Sequence, residues 1–345
     1  MRAPLRAALV AVAAAASLVA ASSALAANTA TIAVSSSGAA TTIHIFVPQT
    51  TDPIAAITIY VPAGYTANLS QAANTSIGSV NATANGHDVG LTLPLTGPVV
   101  TDNPALHTAD ACSPTTHAAV WNLNLSVAGQ SIVLPLYVDP TAGAATELGA
   151  YQMLICLPPW DVPVGTPGRS FDGAQLLDAQ FTVNNIFTVP TSGGLLAWHT
   201  LFTPYTPGTG TANLVGTFEA RALVGSPSLS LKVAKKKGSY AASGKLSEGG
   251  LPLASSSVVL LRGSSATKLA KAGSATTDAS GAWSKAGKLT GNKPAYFKAT
   301  ATVAERDATA QGCATPLPAT VAPGGCTSAT LGAWTVSSPV AKLKP

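Results

Sequence analysis

The segment Trp-Asn-Leu-Asn-Leu-Ser-Val at 121–127 decides the fold class, because its apolar and polar residues alternate strictly. Tryptophan, leucine and valine occupy every second position, and asparagine or serine stands between them. Side chains of an extended chain point alternately to opposite faces, so this pattern predicts a strand with one buried side and one solvent-facing side. The same alternation recurs at 43–47, 57–61 and 91–95.

The rest of the chain is also typical of an all-β protein. Proline and glycine interrupt it about every ten residues, and charged residues make up only 10% of it. Further strands are expected at 131–138, 151–157, 179–183 and 214–224. Short strands at this spacing predict a sandwich or a barrel. No segment has a convincing helical period, although 173–179 could form one helical turn.

Charge divides the chain into two parts. Every lysine lies at or after Lys232. Between residues 27 and 227 there are ten acidic and two basic side chains, and from residue 228 onward there are four acidic and fifteen basic ones. The formal net charge of +5 therefore combines an acidic and a basic half. We predict two β-sandwich domains in tandem, 27–227 and 228–345, that meet at Gly225-Ser226-Pro227.

The N-terminus has the pattern of a secretory signal peptide. Arg2 and Arg6 precede an alanine-rich apolar stretch at 7–20, and Ala24-Leu25-Ala26 has the small-x-small form of a cleavage site. We therefore predict a signal peptide at 1–26 and a secreted or cell-surface location. The alternative is an uncleaved anchor, because 7–27 is almost long enough to span a bilayer. No later run has transmembrane length, so no integral membrane segment is expected after cleavage.

The four cysteines fit an exported protein. Cys112 and Cys156 lie in the acidic half, and Cys313 and Cys326 lie in the basic half. Four cysteines allow three connectivities, of which pairing within each half is the simplest. In the chain-entropy model, the longer loop would stabilise the fold by about 4 kcal/mol and the shorter loop by about 3 kcal/mol.

A family resemblance covers 228–303, about a fifth of the chain. Gly249-Gly-Leu-Pro-Leu253 leads into Val258-Val-Leu-Leu-Arg262, Asp278-Ala-Ser-Gly281 precedes Trp283, and a last strand spans 296–303. This pattern resembles the bacterial Ig-like and carboxypeptidase-regulatory-like sandwich modules of secreted proteins. The resemblance implies an Ig-like sandwich that serves as a spacer or adhesive unit. The residues themselves predict a hairpin turn at 278–281, with Trp283 in the core.

Catalytic motifs are missing from the sequence. It contains no G-x-S-x-G, H-E-x-x-H or C-x-x-C, so we expect neither catalytic residues nor a cofactor. His107, Asp110 and His117 are weak candidates for a metal site, because zinc accepts such ligands. Their spacing fits no standard site, which favours polar residues on a solvated loop beside Cys112.

Aromatic residues suggest sugar binding as an alternative function. Trp160 and Asp161 lie in a proline-rich loop at 158–173, and Trp198 and Tyr205 follow later in the acidic half. Aromatic faces stack on sugar rings, and carboxylates accept hydrogen bonds from hydroxyl groups. The competing interpretation packs these rings inside the protein, which is the commoner fate of tryptophan.

The lysines suggest an anionic partner. The run Lys235, Lys236 and Lys237 opens the basic half, which should attract anionic cell-envelope polymers or acidic polysaccharide. Nucleic acid is a poorer partner, because aromatic residues do not alternate with the lysines. Two alternative roles for the lysines are attraction between the two halves of the chain and a simple increase in the solubility of the protein. We therefore predict a bacterial surface or extracellular protein with a structural, adhesive or binding role; a carbohydrate-binding protein ranks second and an unrecognised extracellular hydrolase third.

Overall fold

The computed structural model describes residues 28–37, 39–127, 129–190, 194–289, 294–314 and 324–344. The expected signal peptide at 1–26 lies outside this part of the chain. The described residues are almost entirely strands joined by turns, which confirms the all-β prediction. No helix among them is both long and apolar enough to cross a bilayer.

The strands follow one another closely along the chain. In order they are β1 Thr31–Ser37, β2 Ala40–Phe46, β3 Ile54–Val61, β4 Thr66–Ala67, β5 Ser76–Gly86, β6 Leu91–Asp102, β7 Ala119–Val127, β8 Gln130–Pro140, β9 Tyr151–Cys156, β10 Ala174–Asn184, β11 Phe187–Thr188, β12 Leu195–Thr206, β13 Thr211–Ala212, β14 Phe218–Gly225, β15 Pro227–Leu229, β16 Lys232–Lys236, β17 Ser239–Glu248, β18 Leu251–Pro252, β19 Ser257–Gly263, β20 Leu269–Thr276, β21 Ala282–Lys288, β22 Ala295–Val303, β23 Arg306–Asp307, β24 Cys326–Leu331, β25 Trp334–Ser337 and β26 Ala341–Leu343. One short helix, α1, spans Thr309–Gly312.

A single long sheet forms the large module. Its strand order is β1-β2-β10-β5-β6-β7-β8-β9-β3-β12-β14-β24-β23, and β13 extends β12. Strand β1 also lies against β14 and β24, so the sheet folds over and brings its two ends together. One continuous core fills the space between the facing halves. Side chains from many strands meet there, including Trp121, Phe181 and Phe202, each with at most 1% exposure.

The alternating segment at 121–127 behaves as its pattern predicts. Trp121, Leu123 and Leu125 are buried, and the polar residues between them face outward. In the register of β7 with β8, Trp121 lies opposite Leu136, which is also fully buried. Directly opposed side chains share one face of a sheet, so the two residues pack into the same core.

The small module is a sandwich of two sheets. One consists of β17 flanked by β15 and β16 on one edge and by β18 and β21 on the other; the second has the order β20-β19-β22, with β25 and β26 beside β22. Between them lies a second core, which includes Leu246, Trp283 and Phe297. Burial of Trp283 confirms its predicted place in the core.

The segment 278–281 forms a turn, but this turn does not join two neighbouring strands of one sheet, as the expected hairpin would. The amide of Gly281 donates to the Asp278 carbonyl at 2.9 Å, and Gly281 has a φ of +72°, as the turn chemistry predicts. The flanking strands β20 and β21 nevertheless belong to opposite sheets. The turn therefore crosses the sandwich edge, because Trp283 has to enter the core from the sheet that contains β17.

Part of the basic half belongs to the large sheet. The chain leaves that sheet at the end of β14, builds the small module through β22, and returns for β23, α1 and β24. Strand β24 pairs in parallel with β14, and β25 and β26 then complete the small module. The sequence assigned all of 228–345 to the second domain; in the structure, the return covers the otherwise open edge of β14.

Two local expectations also differ from the structure. The sequence allows one helical turn at 173–179. In the structure this segment begins strand β10, and the only helical geometry there is a short 3-10 turn at Phe171–Gly173. The strand expected at 214–224 begins at Phe218, after a 3-10 turn at Leu214–Gly216. Two disulfides, Cys112–Cys156 and Cys313–Cys326, confirm the expected pairing.

Candidate binding sites

The outer face of the β16-β17-β21 sheet carries four exposed lysines. Register places Lys232 opposite Ser243 and Lys236 opposite Ser239; on the other side of β17, Lys288 also lies opposite Ser239. Lys245 lies on the same side of the pleat, two residues beyond Ser243. The neighbouring outward positions hold alanine and serine, whose side chains are short. The longer lysine side chains therefore project beyond them. We call Lys232, Lys236, Lys245 and Lys288 the lysine face.

A groove runs beside this face along the edge between the two sheets. Its volume is about 820 Å3. Lys232, Lys245 and Lys285 line it, and a Cβ built on Gly273 would come within 2.7 Å of Lys285 Cε, so this side chain lies across β20. The remaining lining is largely hydroxyl-bearing: Ser230, Ser243, Ser274, Thr276 and Ser284. Ammonium groups and hydroxyls together suit an oxyanion ligand. We call this site the lysine groove.

No lysine in the described part of the protein forms an ion pair with an acidic side chain. Each ion pair there uses histidine or arginine as its cation: His44, His107, His117, Arg169, His199, Arg221 and Arg306. One acidic residue, Asp278, lines the lysine groove. Hydrogen bonds from Ser280 and from backbone amides, together with the charge of Lys245, lower the pKa of Asp278. Positive charge still predominates in the groove.

The predicted lysine run lies at the end of β16. Lys235 and Lys236 are the last residues of the strand, Lys237 follows in the turn to β17, and all three are exposed. Lys236 belongs to the lysine face. The run therefore extends that face but does not line the groove.

Lysines also occupy the opposite side of the small module. Lys271 and Lys298 both lie opposite Leu261, and Lys342 lies opposite Tyr296 with its Nζ 5.6 Å from the ring centroid. Positive charge thus surrounds the sandwich, but the lysine groove lies on the other side.

Of the aromatic candidates, Trp160 lies at one end of the large module. Its ring stacks on His87 with the centroids 3.8 Å apart and an interplanar angle of 6°. Asp161 accepts a hydrogen bond from the Gly208 amide at 2.5 Å. Because His87 covers one face of the tryptophan, only the other face can contact a ligand.

The other two aromatic candidates do not form a shared surface with Trp160. Trp198 has no exposure and makes edge-on contacts with Tyr65 and Phe187 in the core. Tyr205 is partly buried and donates from its hydroxyl to the Leu157 carbonyl at 2.7 Å. It anchors the proline-rich loop to β12. Sequence patterns could not separate these roles, because all four residues lie in similar irregular or alternating contexts.

The three metal candidates do not converge, because His107 and Asp110 belong to one group of paired charges and His117 to another. His107 Nδ1 lies 2.7 Å from Asp110 Oδ2 and His107 Nε2 lies 3.2 Å from Asp102 Oδ2. His117 turns instead to Asp139, with Nδ1 2.8 Å from Oδ2. In the described ranges, no group of three histidine, cysteine or acidic residues is arranged to hold a metal ion.

Neighbouring charges shift the pKa values in the hydrogen-bonded network of His107, Asp102, Asp110 and Tyr137. Burial alone would lower the pKa of His107, but the Asp110 and Asp102 carboxylates outweigh it and hold the pKa above the ordinary 6.5. The Tyr137 hydroxyl, which donates to Asp110 at 2.7 Å, and His107 together lower the pKa of Asp110. The network therefore ties the 102–110 loop to the sheet beneath it.

Sequence reasoning missed a buried charged cluster. Glu219, with no exposure, accepts two hydrogen bonds of 2.8 Å from Arg221 and lies 2.6 Å from His199 Nδ1. Arg221 also donates to the Gly312 carbonyl at 2.8 Å. The only available signal was Glu-Ala-Arg within an apolar strand, which placed both charges on one face.

Comparisons with known proteins leave the chain without a family. No family model matches it, and no curated protein matches it. Among solved structures, it is similar to the crystal structure of a tetra-tandem repeat in the extending region of a large adhesion protein. The identity is 10%, the TM-score is 0.21, and the match covers 91% of this chain and 100% of that one. A TM-score this low carries no argument about fold or function.

Proposed function

We propose that this is a secreted, non-catalytic surface or extracellular protein whose small module binds anionic polymers through the lysine groove. The observation that carries the proposal is that the described lysines have no acidic ion-pair partners while three of them converge on a groove lined with hydroxyls. Unpaired ammonium groups are available to external phosphate or carboxylate groups.

Secretion is supported by two independent features. The basic, apolar and small-x-small segments at the N-terminus follow the order of a signal peptide. Two disulfides are typical of proteins that fold in an oxidising compartment. The resemblance of 228–303 to bacterial Ig-like modules agrees with a spacer or adhesive role. We therefore place the protein at the cell envelope, with its small module in contact with anionic envelope polymer.

The test compares two triple variants that remove the same charge. The first variant removes the three positive charges of the lysine groove: Lys232→Gln/Lys245→Gln/Lys285→Gln. The second is the matched control on the opposite sheet: Lys271→Gln/Lys298→Gln/Lys342→Gln. Binding of the mature full-length chain to immobilised polyphosphate and polyglutamate is measured at low ionic strength, with neutral dextran as a blank. We expect the groove variant to lose about tenfold in affinity, or about 1.4 kcal/mol, and the control to lose less than threefold.

Two results would contradict the proposal. Equal losses in the two variants would show diffuse charge attraction and remove the groove as the site. Binding to dextran as strong as binding to the polyanions would remove anionic recognition altogether. Melting temperatures of both variants should stay near that of the parent protein, because none of the six lysines forms an ion pair among the described residues and only Lys285 and Lys298 are half-buried.

A further inference from the structure

The large module contains an apolar cavity at one end, in contrast to the charged lysine groove of the small module. Its volume is about 170 Å3, and aliphatic side chains from β5, β6, β7 and β8 line its floor. These include Ala82, Ala84, Leu95, Leu125 and Leu134. Such a cavity resembles in size the engineered apolar cavity of about 150 Å3 that stays dry and binds benzene.

The proline-rich loop closes the other side of this cavity. Pro158, Trp160 and Ser170 from the loop line it. Arg169 fixes the loop, because its two terminal nitrogens donate to the Asp88 carboxylate at 2.6 and 2.7 Å and its Nε donates to the Val162 carbonyl at 2.8 Å. The stacking of Trp160 on His87 adds a second attachment. The wall is thus held in place before any ligand arrives.

Two polar atoms in this wall lack hydrogen-bond partners within the described part of the chain. Ser170 is 93% buried, and its hydroxyl makes no hydrogen bond. The indole Nε1 of Trp160 is likewise buried without an acceptor. Leaving such groups unpaired in an apolar setting costs about 1–3 kcal/mol each. Both atoms also have almost no accessible surface, so a ligand in the cavity cannot form hydrogen bonds with them and has to bind through apolar contact.

Charge at the cavity favours a neutral ligand. The guanidinium of Arg169 lines the cavity but is already paired with Asp88. The carboxylate of Asp52 also lines it and would repel an anion. An ion of either sign would also lose its water among the aliphatic lining side chains, which favours a neutral ligand.

We propose that this cavity binds a small neutral molecule with an apolar body of about benzene size, held by apolar contact with the lining side chains. This site is independent of the lysine groove, which lies on the other module. The inference goes beyond polymer binding, and it gives the large module a ligand-binding role of its own.

The experiment measures binding of 4-fluorophenol, fluorobenzene and 4-fluorobenzoate to the mature full-length protein by fluorine NMR titration. We expect saturable binding of fluorobenzene in the submillimolar to millimolar range, binding of the phenol that is no tighter because its hydroxyl loses water, and at least tenfold weaker binding of the benzoate. Absence of saturable binding for all three probes, or tightest binding of the benzoate, would overturn the proposal.

Variants locate the site. Ala84→Leu fills the cavity and should abolish binding of the phenol and fluorobenzene, whereas Ala286→Leu, on the outer face of the small module, should leave both affinities within twofold. Ser170→Ala should leave the affinity for fluorobenzene within about twofold, because the Ser170 hydroxyl is not accessible from the cavity. If Ala84→Leu lowers the melting temperature by more than about 10 °C, Ala82→Val replaces it with a smaller addition to the same wall. Unchanged binding in the filled variant would overturn the assignment.

Discussion

At the scale of single residues, Glu219 shows how this protein accommodates a buried charge. A carboxylate with no exposure is tolerated only when hydrogen bonds replace its water, and Arg221 and His199 supply them. The sequence pattern gave the position of these residues within an apolar strand but no partner, because the Gly312 carbonyl that completes the cluster lies 91 residues away. Long-range polar partners leave no local periodicity.

Removal of one charge from this cluster should be more damaging than removal of both. Arg221→Met leaves Glu219 buried beside His199 alone, and we expect a loss of about 3–5 kcal/mol in the free energy of unfolding. Glu219→Gln/Arg221→Met removes the uncompensated charge and should recover at least about 1 kcal/mol of that loss. Urea denaturation of the three proteins measures both quantities. A double variant less stable than the single one would contradict this account of the cluster.

His107 should make stability depend on pH. Because its pKa in the folded protein lies above 6.5, its stabilising contribution is complete below that value and is lost as pH rises through the raised pKa. Relative to His107→Gln, the wild type should therefore have its larger advantage in unfolding free energy at about pH 5.5 and a smaller one at about pH 9. Asp102 and Asp110, whose pKa values are lowered, stay ionised at both values. An advantage that grows with pH would contradict the assignment.

At the scale of elements, β24 shows what strand patterns leave open. The cysteine spacing predicted the Cys313–Cys326 disulfide, and the structure confirms it. Nothing in Cys-Thr-Ser-Ala-Thr-Leu indicates that this strand pairs in parallel with β14 in the other half of the chain. Alternation identifies the two faces of a strand, whereas the neighbouring strand is chosen by packing over long separations. The turn after β20 shows the same limit. Its residues were correctly predicted to form a turn, but they did not indicate that the strands on either side of it lie in different sheets.

The short disulfide should hold β24 in place. Cys313→Ala/Cys326→Ala is expected to lower the free energy of unfolding by about 3 kcal/mol and to speed amide hydrogen exchange within Cys326–Leu331. Cys112→Ala/Cys156→Ala is the control, with a loss of about 4 kcal/mol and unchanged relative protection of β24. Equal acceleration of β24 exchange in both variants would mean that this disulfide has no local role.

At the scale of the whole molecule, the sequence predicted two all-β sandwiches, the cysteine pairs and the change in charge. It predicted a simple tandem order, whereas the chain passes from the large sheet to the small module, back for β23 and β24, and out again for β25 and β26. Charge could not reveal this return, because the returning segment 304–333 contains Glu305, Arg306 and Asp307 but no lysine. The described lysines remain on the small module, where the outward positions of those in strands follow from strand pairing that the sequence did not specify.

The molecule therefore combines an acidic body with a lysine-covered module whose ammonium groups are free of acidic partners among the described residues. The most direct test of this account is the affinity of the mature full-length protein for polyphosphate as sodium chloride rises from about 50 to about 500 mM. Screening of the lysine groove should weaken binding at least about tenfold over that range. An affinity that changes less than about twofold would contradict the central claim.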